Sequence, residues 1–179
     1  MTPILGIWAS QISGRLWEPA GAYDALATVT LTSGAPVIFT NIPTTYKHLQ
    51  IRGTTPIATW INLLVNGDTS ITSYSYHEIR GNGSSATAGG SGSADALLAL
   101  GAGSTHPTTF ITDVLDYTST NKYKTFRTLY GSDQNGSGNI GFTSNAYYGN
   151  TNAVTSLGFY QYRGANLAVG TTISLYGVK

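Results

Sequence analysis

The chain contains no cysteine, which excludes disulfides and thiolate–metal chemistry and leaves the redox compartment unmarked. Charge is nearly as scarce. Asp, Glu, Lys and Arg make up 9% of the 179 residues, against roughly 25% in an ordinary soluble domain. The net charge is +1, and no basic cluster stands behind it: Lys122, Lys124 and Arg127 are spread along one segment with Asp113 and Asp116 nearby. A nucleic-acid partner is therefore not expected. No run approaches the ~18 consecutive apolar residues of a membrane span, so no membrane partner is expected either. The apolar N-terminus lacks a basic leading region and is interrupted by Trp8, which argues against a signal peptide.

Thr, Ser, Asn and Gly take the place of charge. The 22 Gly and 12 Tyr suit β structure with many turns, and the length suits one domain with a real core. A surface so poor in charge resists association weakly. It fits a surface covered by other subunits, and equally one that is simply rich in hydroxyls.

Periodicity supports the β reading. In Val37–Gly53, VIFTNIPTTYKHLQIRG, two extended runs flank a bend at Pro43. In the second run Lys47, Leu49 and Ile51 point one way, and Tyr46, His48, Gln50 and Arg52 the other. Further strands are expected at Asp24–Thr32, Ile57–Val65, Ile71–Arg80, Thr109–Tyr117, Tyr123–Tyr130, Ile140–Ser144, Ala153–Tyr162 and Thr171–Val178. Asn66-Gly67-Asp68 reads as a tight turn. Gly81–Ser93, GNGSSATAGGSGS, reads as a long flexible loop, and Ala94–Leu100, ADALLAL, as a short helix capped by Ser93. Eight to ten strands at this spacing, with no βαβ rhythm, predict an all-β chain. The expected form is an antiparallel β-sandwich of jelly-roll type with an extended N-terminal arm. The division is residues 1–23 as apolar arm and linker, and residues 24–179 as the sandwich domain.

The arm, Met1–Trp17, carries Ile4, Leu5, Ile7, Trp8, Ile12, Leu16 and Trp17 with only Arg15 charged. It suits a segment packed on its own domain. It equally suits one that docks on another chain, in which case Ile4, Leu5, Ile7, Trp8, Leu16 and Trp17 are the docking residues.

Chemistry-bearing residues are dispersed. His48, His77 and His106 have no mutual spacing that makes a metal site. Alternation puts Asp113 and Asp116 on opposite faces, and Glu78 has no carboxylate neighbour. No G-x-S-x-G occurs, and the glycine runs open no helix after a strand, so neither a nucleophile elbow nor a phosphate cradle is present. Asn82-Gly83-Ser84 and Asn135-Gly136-Ser137 match the glycosylation sequon, as polar loops do by chance. No catalytic residue, metal or cofactor is expected. Tyr74, Tyr76, Tyr147, Tyr148, Tyr160 and Tyr162 suit either sugar stacking and subunit contacts or ordinary core packing.

Four strings together carry a resemblance: PILGIWASQISG, FTNIPTTYKHLQIRG, DVLDYTSTNKYKTFRTLYG and the terminal SLYGVK. Most of the chain from Pro3 to Lys179, outside Gly81–Thr108, resembles a group of small structural proteins of tailed-phage virions, labelled tail-fibre or head-decoration components. The Ile42–Arg52 string is its most specific piece. The resemblance implies a non-enzymatic, trimeric β-sandwich component of the virion, assembled in the bacterial host cytoplasm and tethered to other virion proteins by the arm. It brings no receptor-contact residue. A tail-fibre or adsorption appendage touching a host cell-surface glycan leads. A head decoration protein and a free carbohydrate-binding module are the alternatives.

Overall fold

The computed structural model describes residues 21–57, 60–92, 96–99, 106–133, 138–161 and 164–179. Among them run twelve strands: β1 (Tyr23–Thr30), β2 (Val37–Phe39), β3 (His48–Thr55), β4 (Ile61–Val65), β5 (Tyr74–Gly81), β6 (Ala86–Ser91), β7 (Ala96–Ala99), β8 (Thr108–Leu115), β9 (Lys124–Asp133), β10 (Gly138–Tyr147), β11 (Leu157–Gln161) and β12 (Thr172–Val178). Every pairing is antiparallel. One sheet has eight strands in the order β1-β12-β3-β8-β9-β10-β5-β6, and the other has four, β2-β11-β4-β7. The antiparallel β-sandwich is thus what the sequence predicts. A jelly roll is eight strands in two Greek keys, and that narrower expectation is not borne out by an eight-against-four division.

The core lies between the sheets because the strands alternate. In β3, Leu49 and Ile51 face inward, as do Phe110 and Val114 in β8, Phe126 in β9, and Ile173 and Leu175 in β12. They meet Ile61, Leu63 and Val65 of β4, Leu157 and Phe159 of β11, and Val37 and Phe39 of β2. Phe39 and Phe159 pack edge to face with centroids 5.9 Å apart. Each such side chain, fully buried, contributes about 1.5–3 kcal/mol. Two inward glycines make room for rings on the neighbouring strand. Gly53 is paired with Phe110 and Gly141 with Tyr130, and each ring lies where a Cβ would stand.

Two expectations are corrected. The stretch read as a flexible loop at residues 81–93 holds β6, which pairs with β5 from Tyr76 to Gly81. Its turn is closed by Asn82, whose Oδ1 accepts the N–H groups of Ser84 (3.0 Å) and Ser85 (2.8 Å), with Gly83 at φ +87°. Backbone pairing needs no side chain, so a glycine-rich run can still be an edge strand. The stretch read as a helix at residues 94–100 contains β7, an edge strand on β4. Two turns are too short to persist as a helix without tertiary support, and the open edge of β4 offers backbone partners instead.

Candidate interaction surface

The outer face of the eight-stranded sheet carries the most distinctive surface. Alternation in β8 sends Phe110, Thr112 and Val114 inward, so Thr109, Ile111 and Asp113 point outward. The same logic exposes Leu129 on β9, Ile140 and Phe142 on β10, and Ile79 on β5. These five apolar side chains are between 45% and 64% exposed. Strand register aligns four of them directly: Ile111 is paired with Leu129, Leu129 with Phe142, and Phe142 with Ile79. At ~4.8 Å per strand the row from Ile111 to Ile79 is ~14 Å long. Ile140 lies one outward step further along β10, beside an open depression of about 480 Å³ lined by Thr109, Ile111, Leu129, Gly131, Asn139 and Ile140.

Polar rows border this stripe. On one side, register places Gln50, Asp113, Arg127, Ser144 and His77 side by side. Gln50 Nε2 donates to Asp113 Oδ1 at 2.8 Å, and Arg52 Nε donates to Gln50 Oε1 at 2.8 Å. On the other side stand Thr30, Thr172, Thr54 and Thr109. Arg52 closes the near end of the apolar row. It is paired with Ile111, and its guanidinium sits 5.1 Å from the Tyr23 ring centroid and 4.5 Å from that of Tyr176.

A second feature lies where β10 ends against β5 and β6. An open depression of about 520 Å³ is lined by Ser75, His77, Gly90, Ser91, Gly92 and Tyr148. Tyr148 and Tyr123 are both about half exposed and pack edge to face at 5.4 Å. The backbone N–H of Tyr148 donates to the Ser73 carbonyl at 2.6 Å, which anchors the ring at the rim.

The remaining polar residues are structural in their contacts. His48 Nδ1 accepts the Asp116 N–H at 3.0 Å, and Lys122 pairs with the Asp116 carboxylate at 3.0 Å. The hydrogen bond from Lys122 holds that carboxyl below its usual range. Asp116 sits just past the end of β8 at φ +47°, while Asp113 stays on the outer face with Gln50. His77 points outward from β5 and His106 precedes β8, so the three histidines do not meet. Among the described residues no three His, Asp or Glu side chains gather as metal ligands. Glu78 faces inward, 4.0 Å from Arg80.

The docking residues Ile4, Leu5, Ile7, Trp8, Leu16 and Trp17 fall outside the described residues. Of the six tyrosines singled out by pattern, Tyr74 and Tyr147 are buried and packed together at 5.1 Å, and Tyr76 and Tyr160 are partly buried. Tyr148 is exposed, and Tyr162 is not described.

Sequence reasoning missed two things. It counted Lys124 only among dispersed basic residues, whereas the side chain is buried and Nζ donates to the carbonyls of Ser119, Lys122 (2.9 Å) and Thr151 (2.9 Å). It also missed the apolar row. The signal was present in TFITDVL, where Phe110 and Val114 alternate with Ile111, so both faces carry large apolar groups. That pattern marks a strand covered on both sides. Comparison with protein-family models, with curated proteins and with solved structures returned no match.

Proposed function

We propose that the chain is a non-enzymatic structural component of a tailed-phage virion, a trimeric tail-fibre or adsorption appendage held to its neighbours through the N-terminal arm. The observation that carries this reading is the aligned row Ile111–Leu129–Phe142–Ile79. Large apolar groups in strand register on an open sheet face are costly to leave in water and favour a protein partner. The resemblance of Ile42–Arg52 to phage structural proteins supplies the setting, and the low charge suits a surface covered in an assembly. The depression beside Tyr148 supports contact with a host cell-surface glycan. A half-exposed ring can stack on a sugar face, while Ser75, Ser91 and His77 offer hydrogen bonds to its hydroxyls.

Labelled antibody on purified particles tests the reading. Label at the tail is the expected result. Label on the head would make the chain a decoration protein, and particles without the chain would overturn the virion assignment. Glycan binding by the isolated chain that survives deletion of Met1–Trp17, combined with absence from particles, would favour a free carbohydrate-binding module.

A further inference from the structure

The described chain begins beside the edge strand β1 of the same sheet that carries the apolar row, and the Ala22 carbonyl accepts the Lys179 N–H at 3.2 Å. Tyr23, the third described residue, is paired with Val178 and reaches Arg52 on the outer face of the sheet. Ahead of it lie twenty-two residues whose first seventeen contain seven large aliphatic or Trp side chains (Ile4, Leu5, Ile7, Trp8, Ile12, Leu16 and Trp17) and one charge, Arg15. Their composition matches a surface that is itself apolar and uncharged along its length. Reach also matches: Ile4–Trp8, if extended, spans ~13 Å over four steps, close to the ~14 Å row. Four residues, 18–21, separate Trp17 from Ala22, and a stretch of that length spans at most ~14 Å when fully extended.

Geometry favours a neighbour's row over the chain's own. Between Tyr23 and Ile111 the outer face is occupied by Arg52, held between Tyr23 and Tyr176 and hydrogen-bonded to Gln50. That cluster stands on the direct line from Tyr23 to the chain's own row, whereas β1 is an edge strand and opens toward whatever lies alongside. We propose that Pro3–Trp17 of one copy seats on the Ile111–Leu129–Phe142–Ile79 row of a neighbouring copy, so that the subunits of the assembly are strapped together by exchanged arms. This rests on the reading of the chain as a self-assembling virion component, and it names the partner of the row as a second copy of the chain.

The absence of native cysteine makes the test clean. Full-length Gly6→Cys carries a thiol in the arm without removing an apolar residue. Full-length Ala88→Cys carries one at the far end of the row, where Ala88 is paired with Ile79. The two chains, one bearing a size tag, are mixed and mildly oxidised. The expected product is a mixed disulfide dimer of G6C with A88C, formed at least tenfold faster than with Ile38→Cys, an exposed position on the outer face of the smaller sheet. Adding Leu129→Asp to the A88C chain should reduce that rate to the control level, since Leu129 is exposed and its loss leaves the core intact. Equal rates with A88C and I38C overturn the proposal. So does a G6C/A88C double variant that closes only within its own chain. Particle labelling separates this from the parent reading: no arm–row link in a chain that does join particles sinks the strap alone, and a link in a chain absent from particles sinks the virion assignment alone.

Discussion

Single polar residues hold together the loops that bridge the sheets, and each has a measurable weight. Asn66, at φ +51°, ties the end of β4 to the segment before β11. Its Oδ1 accepts the N–H groups of Thr155 (2.8 Å) and Ser156 (3.1 Å), and Nδ2 donates to the Ala153 carbonyl (2.9 Å). Lys124 does the same for three carbonyls on two loops, although burial lowers its pKa. At about 1–3 kcal/mol for a buried polar group left unpaired, Lys124→Met is predicted to lower unfolding free energy by about 3 kcal/mol in urea titration. Tyr147 and Tyr130 give a pH signature. Burial pushes each phenol up to about 12, and the Asp68 carboxylate beside Tyr147 adds to the effect there. Their folded-state pKa values lie above the unfolded value, so the unfolded chain releases these protons first as pH rises. Their contribution is whole below pH ~10 and is lost between about pH 10 and 12, at roughly 1.4 kcal/mol per pKa unit for each phenol. The urea midpoint should therefore fall steeply across that window, and Tyr147→Phe should flatten the fall. An unchanged slope in the variant would refute the assignment.

At the scale of elements, the sheet depends on glycine meeting ring. Gly53→Ala sets a methyl against Phe110 across β3 and β8, and overpacking of that kind costs about 1–3 kcal/mol. The double variant Gly53→Ala/Phe110→Leu should lose less than the sum of its parts, as contacting residues do. This layer of the fold was only partly legible. The strands at Thr109–Tyr117 and Tyr123–Tyr130 emerged from alternation, because each has a clear inner face, and as consecutive strands β8 and β9 they pair. The hairpin of β5 and β6 did not, since Gly89 and Gly90 offer no side-chain period to read. The strand β7 also escaped, because ADALLAL has helical propensity and its partner β4 lies about thirty residues away. The row Ile111–Leu129–Phe142–Ile79 could not be assembled from sequence at all. It exists only through the registers of four strands, and β5 joins β10 from across a gap of about sixty residues.

At the scale of the whole molecule, the eight-stranded sheet presents two different surfaces. The inner face carries the core, and under the proposed assembly the outer face would carry the contacts between copies. Deleting Met1–Trp17 is predicted to leave a folded sandwich, seen as an unchanged β-type circular dichroism spectrum, that no longer joins particles. A deletion that unfolds the chain would instead place the arm in the core. Phe142→Asp on the exposed side of β10 should likewise spare folding and weaken assembly, whereas Phe126→Asp on the inner face of β9 should abolish folding. The most direct measurement is sedimentation velocity of the full-length chain over a range of micromolar concentrations, with Phe142→Asp beside it. The expected result is a trimer that falls to single chains in the variant. A wild-type chain that sediments as a monomer at every concentration, or a variant that assembles as well as the wild type, would contradict it.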